Sequence, residues 1–213
     1  GTIEIFYSYN FSVPDGTISE IEQFMNSGNK FMIATARSHK SIMEKINKYH
    51  IPYDFISTFN GSIIYDNQGN ILFSNDLEEL EKIFSYFKSI VFLKEKDKTL
   101  YFLIYTKLLE YLRNFLVYFE KKYIFTDSDL FSRLQAIKPF SDKIDSVKFI
   151  QNLLDIDDCD VITIGDDTSD LEMIRCYNGY GISRPFPNHK VLDSCNAKVK
   201  SLYDLLHNVN KNI

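Results

Sequence analysis

Residues 161–174 place the strongest constraint on what this chain can fold into. The segment opens with the apolar run Val161–Ile164, turns at Gly165 and then carries Asp166 and Asp170. A short apolar run that ends in a glycine and continues in a helical pattern predicts a buried strand followed by a helix. Ligand sites of open α/β sheets lie at the carboxyl ends of such strands, so these carboxylates form a candidate site.

The carboxylates of this turn have two interpretations. Asp166 and Asp170 can offer oxygen ligands to Mg²⁺, which binds few protein carboxylates and keeps several waters. Alternatively, Asp167 or Asp170 caps the helix and interacts with the positive end of its dipole. The residues alone leave both interpretations open.

Strand and helix patterns alternate on both sides of a central segment. Apolar strand patterns at 3–7 and 30–35 flank an amphipathic helix pattern, and a hairpin signal at 66–69 closes this part. The alternation resumes from residue 141 with helix, strand and helix. We therefore expect the α/β class, with a Rossmann-like parallel-sheet core and helices on both faces.

The central segment has a pattern of its own. Residues 76–138 read as helix, two strands, helix and two strands, which indicates a self-contained α+β unit. We expect a small inserted domain at 76–138 within a core of residues 1–75 and 139–213. Its many aromatic residues are expected to form the core of the insert and not a ligand surface, because they follow helical and strand spacing.

Composition narrows the choice of compartment and partner. The 213 residues are 45% hydrophobic, carry a net charge of −5 and show no dense Lys/Arg cluster, which argues against a nucleic-acid partner. No apolar run approaches the roughly 18 residues of a membrane helix, and no signal-peptide pattern is visible. The three cysteines lack metal-type spacing, which is typical of reduced thiols without a zinc site. We expect a cytoplasmic protein with a small-molecule ligand, no membrane partner and an unidentified protein partner, if any.

The sequence Gly165-Asp166-x-x-x-Asp170 after a strand resembles motif four of the haloacid dehalogenase (HAD) superfamily. Three further matches to its Cof-type phosphatase branch fall in the right order: Ile33–Arg37 resembles the strand-end T-G-R, Phe59–Asp66 resembles the N-G-A-x-I-x-D hairpin, and Lys143 matches the phosphate-site lysine. The resemblance covers residues 3–75 and 139–210. It implies that the insert is the cap domain of this branch.

The resemblance also implies roles for the matched residues. Asp166 would ligate Mg²⁺, and Asp170 would support the metal directly or through water. Thr35 would donate a hydrogen bond to the phosphoryl oxygens, and Lys143 would supply positive charge. The alternative for Thr35 is a helix cap or a strand hydroxyl, and Arg37 reads as a solvated or structural arginine. The implied activity is Mg²⁺-dependent hydrolysis of small phosphorylated metabolites such as sugar phosphates.

Motif one departs from the family pattern, which is D-x-D-G-T directly after the first strand. Ser8 falls at the nucleophile position and Asn10 at the general acid/base position, where its backbone carbonyl would be a metal ligand. A serine hydroxyl needs a base to become a nucleophile, and an asparagine has no proton to transfer. Phe11 replaces the glycine, and Asp15-Gly16-Thr17 reads as a turn and helix start.

These departures lead to an expectation of impaired catalysis. We expect a phosphatase scaffold with weak or absent Mg²⁺ binding, in which the positions of Ser8 and Asn10 are degenerate. The alternative is a pseudoenzyme, a non-catalytic protein that binds a phosphorylated ligand or serves a regulatory or structural role.

Overall fold

The computed structural model describes nine stretches of the chain: residues 5–7, 10–75, 82, 90–95, 98–105, 124–128, 133–137, 142–183 and 187–211. For the strands at 5–7, 10–12 and within 90–137, it describes the backbone alone. Ser8, the expected helix at 108–122 and almost all of the expected helix at 77–87 lie outside the described residues.

The first two strands form an antiparallel hairpin. Strand β1 (Ile5–Tyr7) pairs with β2 (Asn10–Ser12), and Tyr7 lies opposite Asn10. The sequence predicts a strand over 3–7 that joins the parallel sheet and a loop after it. The structure differs, because residues 10–12 extend and supply β1 with a neighbour across a two-residue connection, the shortest common hairpin link.

A second sheet follows the first helix. Helix α1 (Thr17–Asn26) leads into β3 (Met32–Ala34), and helix α2 (His39–Tyr49) connects β3 to the parallel strand β4 (Phe55–Thr58). A 3-10 turn at Phe59–Gly61 precedes the antiparallel strands β5 (Ile63–Asp66) and β6 (Ile71–Ser74). The strand order is β3-β4-β5-β6. The hairpin expected around residues 66–69 is therefore confirmed.

A separate antiparallel sheet lies within the segment that we expect to be inserted. Its four strands are β7 (Ile90–Glu95), β8 (Lys98–Tyr105), β9 (Ile124–Ser128) and β10 (Arg133–Ile137). They follow the order β7-β8-β10-β9.

Parallel pairing returns in the last part of the chain. Helix α3 (Lys143–Leu154) precedes β11 (Ile162–Gly165), a 3-10 turn at Thr168–Asp170 and α4 (Leu171–Cys176). Strand β12 (Asn178–Ile182), α5 (His189–Ser194), β13 (Ala197–Val199) and α6 (Leu202–Asn210) complete the described chain. Strands β11, β12 and β13 are parallel neighbours in this order.

Helices cover both faces of the β3–β4 pair. Ile33 and Ile56 are buried on one face, in a cluster with residues of α1, α2 and α6. Met32 and Phe55 belong to the other face, where they pack with Ile150 of α3. This arrangement of helix, sheet and helix confirms the expected α/β class with a parallel core. Among the described helices, none combines the length and the apolar content that a membrane span requires.

The first and last described helices are also joined by polar contacts. The Nδ1 of His207 lies 2.7 Å from Oε1 of Glu20, and Asn210 donates from Nδ2 to Oε2 of Glu20 at 2.7 Å. Burial alone would raise the pKa of Glu20, but these hydrogen bonds and the charge of His207 outweigh it, so the pKa lies below its ordinary value. The ionised form of Glu20 therefore links α1 to α6.

Candidate active site

Asp170 lies at the centre of the candidate site. Its residue surface is only 3% exposed, and its Oδ1 accepts a hydrogen bond from Nζ of Lys143 at 2.6 Å. Its Oδ2 accepts from the backbone N–H groups of Asp166 and Asp167, at 2.9 and 3.0 Å. Because both oxygens are engaged, Asp170 fixes the turn after β11 and the position of Lys143.

Gly165 permits this arrangement. A Cβ at position 165 would lie only 2.5 Å from Cγ of Asp170, a distance that no real side chain tolerates. The carboxylate therefore lies directly against the end of β11, in the space that any other residue at 165 would fill. A glycine is therefore needed at position 165, because the side chain of Asp170 packs against its backbone.

The other two carboxylates of the turn differ in their surroundings. Asp167 is exposed and accepts a hydrogen bond from the N–H of Thr168 at 2.7 Å, so it caps the 3-10 turn. Asp166 is half-buried at the carboxyl end of β11. Asp167 and Asp170 therefore both take part in the cap of this turn, as one interpretation of the sequence expected, and Asp166 remains a candidate metal ligand.

Lys143 is a buried cation at the first position of α3. It is 8% exposed, and the positive end of the helix dipole disfavours its charge. The salt bridge to Asp170 offsets this cost. Desolvation, together with the charges of Asp145 and Glu172, raises the pKa of Asp142, the residue that precedes Lys143.

Thr35 follows β3 directly and is held by three hydrogen bonds. Its N–H donates to the carbonyl of Ser57 at 2.9 Å, and its carbonyl accepts from the N–H of Asn60 at 3.0 Å. Its Oγ1 accepts from the N–H of Arg37 at 3.2 Å. A hydroxyl that accepts in this way still has its proton to donate. The turn therefore fixes the hydroxyl and leaves it able to donate to a ligand. Arg37 is exposed.

Asn60 is a candidate residue to which the sequence analysis gave no role. Its φ of 53° places it in the left-handed region, and its Oδ1 is buried without a hydrogen-bond partner in the part of the chain that the structure describes. The 3-10 turn that carries it packs against α3, the helix of Lys143. Asn-Gly shortly after a strand is the sequence signal that could have identified it, because asparagine tolerates a positive φ.

The structure joins some of the expected site residues directly. Lys143, Asp166 and Asp170 form one hydrogen-bonded cluster. Ala34, the neighbour of Thr35, and Asp170 line the same cleft between β3 and β11. Ser8 lies outside the described residues, and Asn10 is the first residue of β2, where only its backbone is described.

The available oxygen donors suit a metal ion that is held partly by the protein and partly by a bound phosphate. Within the stretches that the structure describes, no three His, Cys, Asp or Glu side chains converge as a metal cage would require. Asp170 uses its oxygens on Lys143 and on backbone N–H groups, which leaves Asp166 as the leading carboxylate donor. Mg²⁺ is commonly held by one or two carboxylates, several waters and a substrate phosphate. The residues present fit this kind of site.

Comparison with known proteins identifies related sequences and structures. A family model described as haloacid dehalogenase-like hydrolase matches residues 5–138 and 92–183. No curated protein matches the sequence.

Several solved structures share the fold. A candidate HAD/COF-like hydrolase from Plasmodium vivax has a TM-score of 0.73 at 16% identity, covering 100% of this chain and 93% of its own. A phosphatase of the same superfamily from Bacteroides thetaiotaomicron has a TM-score of 0.75 at 12% identity, covering 97% of this chain and 90% of its own. A haloacid dehalogenase-like hydrolase from B. subtilis has a TM-score of 0.71 at 13% identity, and the match covers 95% of this chain and 94% of the B. subtilis chain.

Proposed function

This chain belongs to the Cof-type branch of the haloacid dehalogenase-like hydrolases, and we propose that it binds small phosphorylated metabolites, such as sugar phosphates, at the edge formed by Thr35, Lys143 and Asp166. The observation that carries the proposal is the buried lysine of α3. Its charge is paired with the buried carboxylate of Asp170, beside the carboxyl end of the parallel strand β11, where α/β folds bind ligands.

Each residue has a defined part in this proposal. The Nζ of Lys143 provides positive charge for the phosphate, and Asp170 holds that amine in place at 2.6 Å. The hydroxyl of Thr35 donates to a phosphoryl oxygen, because its proton remains available while its oxygen accepts from the backbone N–H of Arg37. Asp166 and an oxygen of the phosphate would together hold Mg²⁺, which when bound neutralises phosphate charge and polarises the phosphoryl group.

We propose that this chain binds its ligand better than it hydrolyses it. The family resemblance assigns Ser8 to the position of the nucleophile and Asn10 to that of the general acid. Without an acid to protonate the leaving oxygen, a contribution of about 10²–10⁴ in rate is absent. Mg²⁺ binding is weak in the absence of the phosphate, since Asp166 is the leading carboxylate ligand and Mg²⁺ gives up its waters reluctantly.

Two further proposals concern the context of the site. The antiparallel sheet within residues 90–137 supports a cap domain at 76–138 and a core of residues 1–75 and 139–213. Cys159, Cys176 and Cys195 are free thiols, which supports a reducing compartment such as the cytoplasm.

The proposal is tested by thermal shift and phosphate release on the same samples. We expect a panel of sugar phosphates to raise the Tm of the protein in the presence of Mg²⁺, with little or no release of phosphate. The variant Asp166→Asn should lose the Mg²⁺-dependent part of the shift. Its matched control is Asp167→Asn, because Asp167 is exposed and asparagine caps as well as aspartate.

Two outcomes would decide against this function. If no phosphorylated compound shifts the Tm of the unmodified protein, the phosphate site is wrong. If Asp166→Asn and Asp167→Asn behave alike, the assignment of the metal ligand is wrong.

A further inference from the structure

The turn that follows β4 has a strained backbone. Phe59 and Asn60 have φ values of 48° and 53°, and Gly61 has a φ of 96°, so three consecutive residues lie in the left-handed region. Glycine adopts this conformation freely, but the other two residues adopt it at a cost, which is smaller for asparagine. Strain of this kind persists only where the surrounding structure enforces it, and it is concentrated at functional sites. The turn is therefore a candidate for a role beyond the connection of β4 to β5.

Two backbone hydrogen bonds join this turn to the loop of Thr35. The N–H of Phe59 donates to the carbonyl of Arg37 at 3.1 Å, and the N–H of Asn60 donates to the carbonyl of Thr35 at 3.0 Å. The side chain of Phe59 packs against buried residues of β5. These contacts fix the backbone of Asn60 beside Thr35, the proposed donor to a phosphoryl oxygen.

The side chain of Asn60 carries a buried acceptor that the protein does not use. Its Oδ1 has no hydrogen-bond partner in the part of the chain that the structure describes. An acceptor in this state is unfavourable, because it has lost its hydration and has gained no donor in return. It is therefore available to a donor that moves when a ligand binds.

Helix α3 brings Lys143 to the same end of β4. Ile150 of α3 packs with Phe55 at the start of β4, and the turn that carries Asn60 packs against the same helix. The helix therefore runs antiparallel to β4. Along the helix, Lys143 lies about 10 Å before Ile150. Along the strand, Thr58 lies about 10 Å beyond Phe55, so Lys143 is level with the end of β4.

Lys143 has donors to spare. Its ammonium group carries three N–H donors and no acceptor. Among the described residues, Oδ1 of Asp170 is the one acceptor within hydrogen-bond distance of Nζ, at 2.6 Å. The side chain of Lys143 is 10% exposed, so bulk water reaches little of it. Two of the three donors therefore need acceptors at a position that water hardly reaches.

One other buried group on this side of β4 lacks a partner in the described chain. Ser57 lies opposite Ile64, which packs with Ile150 of α3, so its side chain points towards the same helix. Its Oγ has no hydrogen-bond partner there. A hydroxyl can rotate and donate, however, whereas the amide oxygen of Asn60 can only accept. Asn60 is therefore the better match for an ammonium donor.

We propose that Asn60 is a positioning residue for Lys143. Its Oδ1 accepts the second N–H of the ammonium group when a bound phosphate accepts the third, so that Asp170, Asn60 and the ligand surround the charge. The strained turn holds this acceptor in place, and its hydrogen bond to Thr35 ties it to the other donor of the phosphate site. This inference rests on the proposed function, because the phosphate is the third acceptor.

The test compares two substitutions by glycine. Asn60→Gly removes the carboxamide and keeps the left-handed backbone, and His50→Gly does the same at an exposed left-handed residue at the far end of α2. Binding of inorganic phosphate with Mg²⁺ is measured by calorimetry. We expect Asn60→Gly to melt no lower than the unmodified protein and to bind phosphate on the order of tenfold more weakly, the effect of one hydrogen bond to a charged group. His50→Gly should leave the affinity unchanged.

A second measurement shows whether Asn60 acts through the lysine. ¹H–¹⁵N NMR detects the ammonium group of Lys143, whose signal is identified by its absence from Lys143→Met. At saturating phosphate, we expect the ammonium protons to exchange slowly with water in the unmodified protein and faster in Asn60→Gly. Ser57→Ala, which removes the other unpartnered group, should leave the exchange slow.

Each contrary result has its own meaning. Equal phosphate affinity in Asn60→Gly and the unmodified protein would overturn the inference and leave the proposed function standing. Weaker binding with an unchanged Lys143 signal would also overturn it, because Asn60 would then contact the ligand itself. A lower Tm of Asn60→Gly would assign the side chain a structural role instead. If the unmodified protein binds no phosphate, the proposed function fails and the inference fails with it.

Discussion

The Nζ of Lys143 lies 2.6 Å from Oδ1 of Asp170, although 27 positions of sequence separate the two residues. Their side chains are 10% and 4% exposed, so water screens neither charge well. A buried pair of this kind contributes little net stability compared with apolar residues, but breaking it by removing one partner leaves a charge without compensation. The pair therefore holds the site in position more than it stabilises the protein.

The first prediction follows from this pair. Replacing Lys143 by methionine should lower the free energy of unfolding by about 3–5 kcal/mol, because the carboxylate of Asp170 stays buried without its partner. The double variant Lys143→Met with Asp170→Asn should recover part of the loss. Urea denaturation is measured for the unmodified protein, for the single variants Lys143→Met and Asp170→Asn and for the double variant, and Lys148→Met, at an exposed position of the same helix, is the control. Additive effects of the two substitutions would contradict the coupling.

A second prediction concerns Gly165. Substitution by alanine places a methyl group against Asp170 and should cost about 1–3 kcal/mol, the range of overpacking in a filled site. In an Asp170→Gly background, the same substitution should cost much less, since there is no side chain to meet. Chemical denaturation of the four proteins of this cycle gives the coupling free energy, and a value near zero would argue against the close approach.

The third prediction is a pH dependence that arises from Glu20. Its pKa is lowered in the folded protein, so its contribution to stability is present above the ordinary value of 4.5 and is lost as the pH falls through the lower, folded value. The variant Glu20→Gln should therefore show a flatter dependence of Tm on pH below about 4.5 than the unmodified protein. Glu22→Gln, an exposed substitution on the same helix, should leave the dependence unchanged. Parallel curves for all three proteins would contradict the assignment.

The fourth prediction separates two roles of Thr35. Thr35→Val removes the acceptor for the N–H of Arg37 and should cost about 1 kcal/mol of stability, a typical value for one hydrogen bond. It should also abolish the thermal shift produced by phosphorylated ligands. Thr35→Ser keeps the hydroxyl and should retain both properties. If Thr35→Val keeps the ligand-induced shift, the hydroxyl only caps its turn.

Local patterns were sufficient to predict most of the elements near the site. The apolar run before Gly165 predicted β11, and the turn chemistry of residues 66–69 predicted the β5–β6 hairpin, because both depend on neighbours along the chain. The cluster around Asp170 could also be predicted in part from the sequence. Carboxylates after a strand indicated a site, and the family resemblance indicated Lys143 as a member of it.

Other features depend on contacts that no local pattern contains. The sequence did not show that the side chains of Asp167 and Asp170 both hold the turn after β11. This depends on how closely the side chain of Asp170 approaches Gly165. The β1–β2 pairing was also missed. Ile5–Tyr7 is apolar enough for a buried parallel strand, and only the extended conformation of residues 10–12 shows that its neighbour is antiparallel. Asn60 was recognised within a motif, but its buried Oδ1 is a property of the packed turn.

The contact between α1 and α6 also has a consequence for how the chain folds. Glu20 and Asn210 are separated by 190 positions, and the loop between them contains the whole segment predicted as an insert. Contacts of such high sequence separation form late, because the entropy of closing the loop is lost before any packing compensates for it. During synthesis, α1 and β3 leave the ribosome long before α6 is made, so the apolar surface that they bury against α6 stays exposed until then. We therefore expect the insert, whose contacts are more local, to become structured first, and a nascent chain that lacks α6 to depend on chaperones.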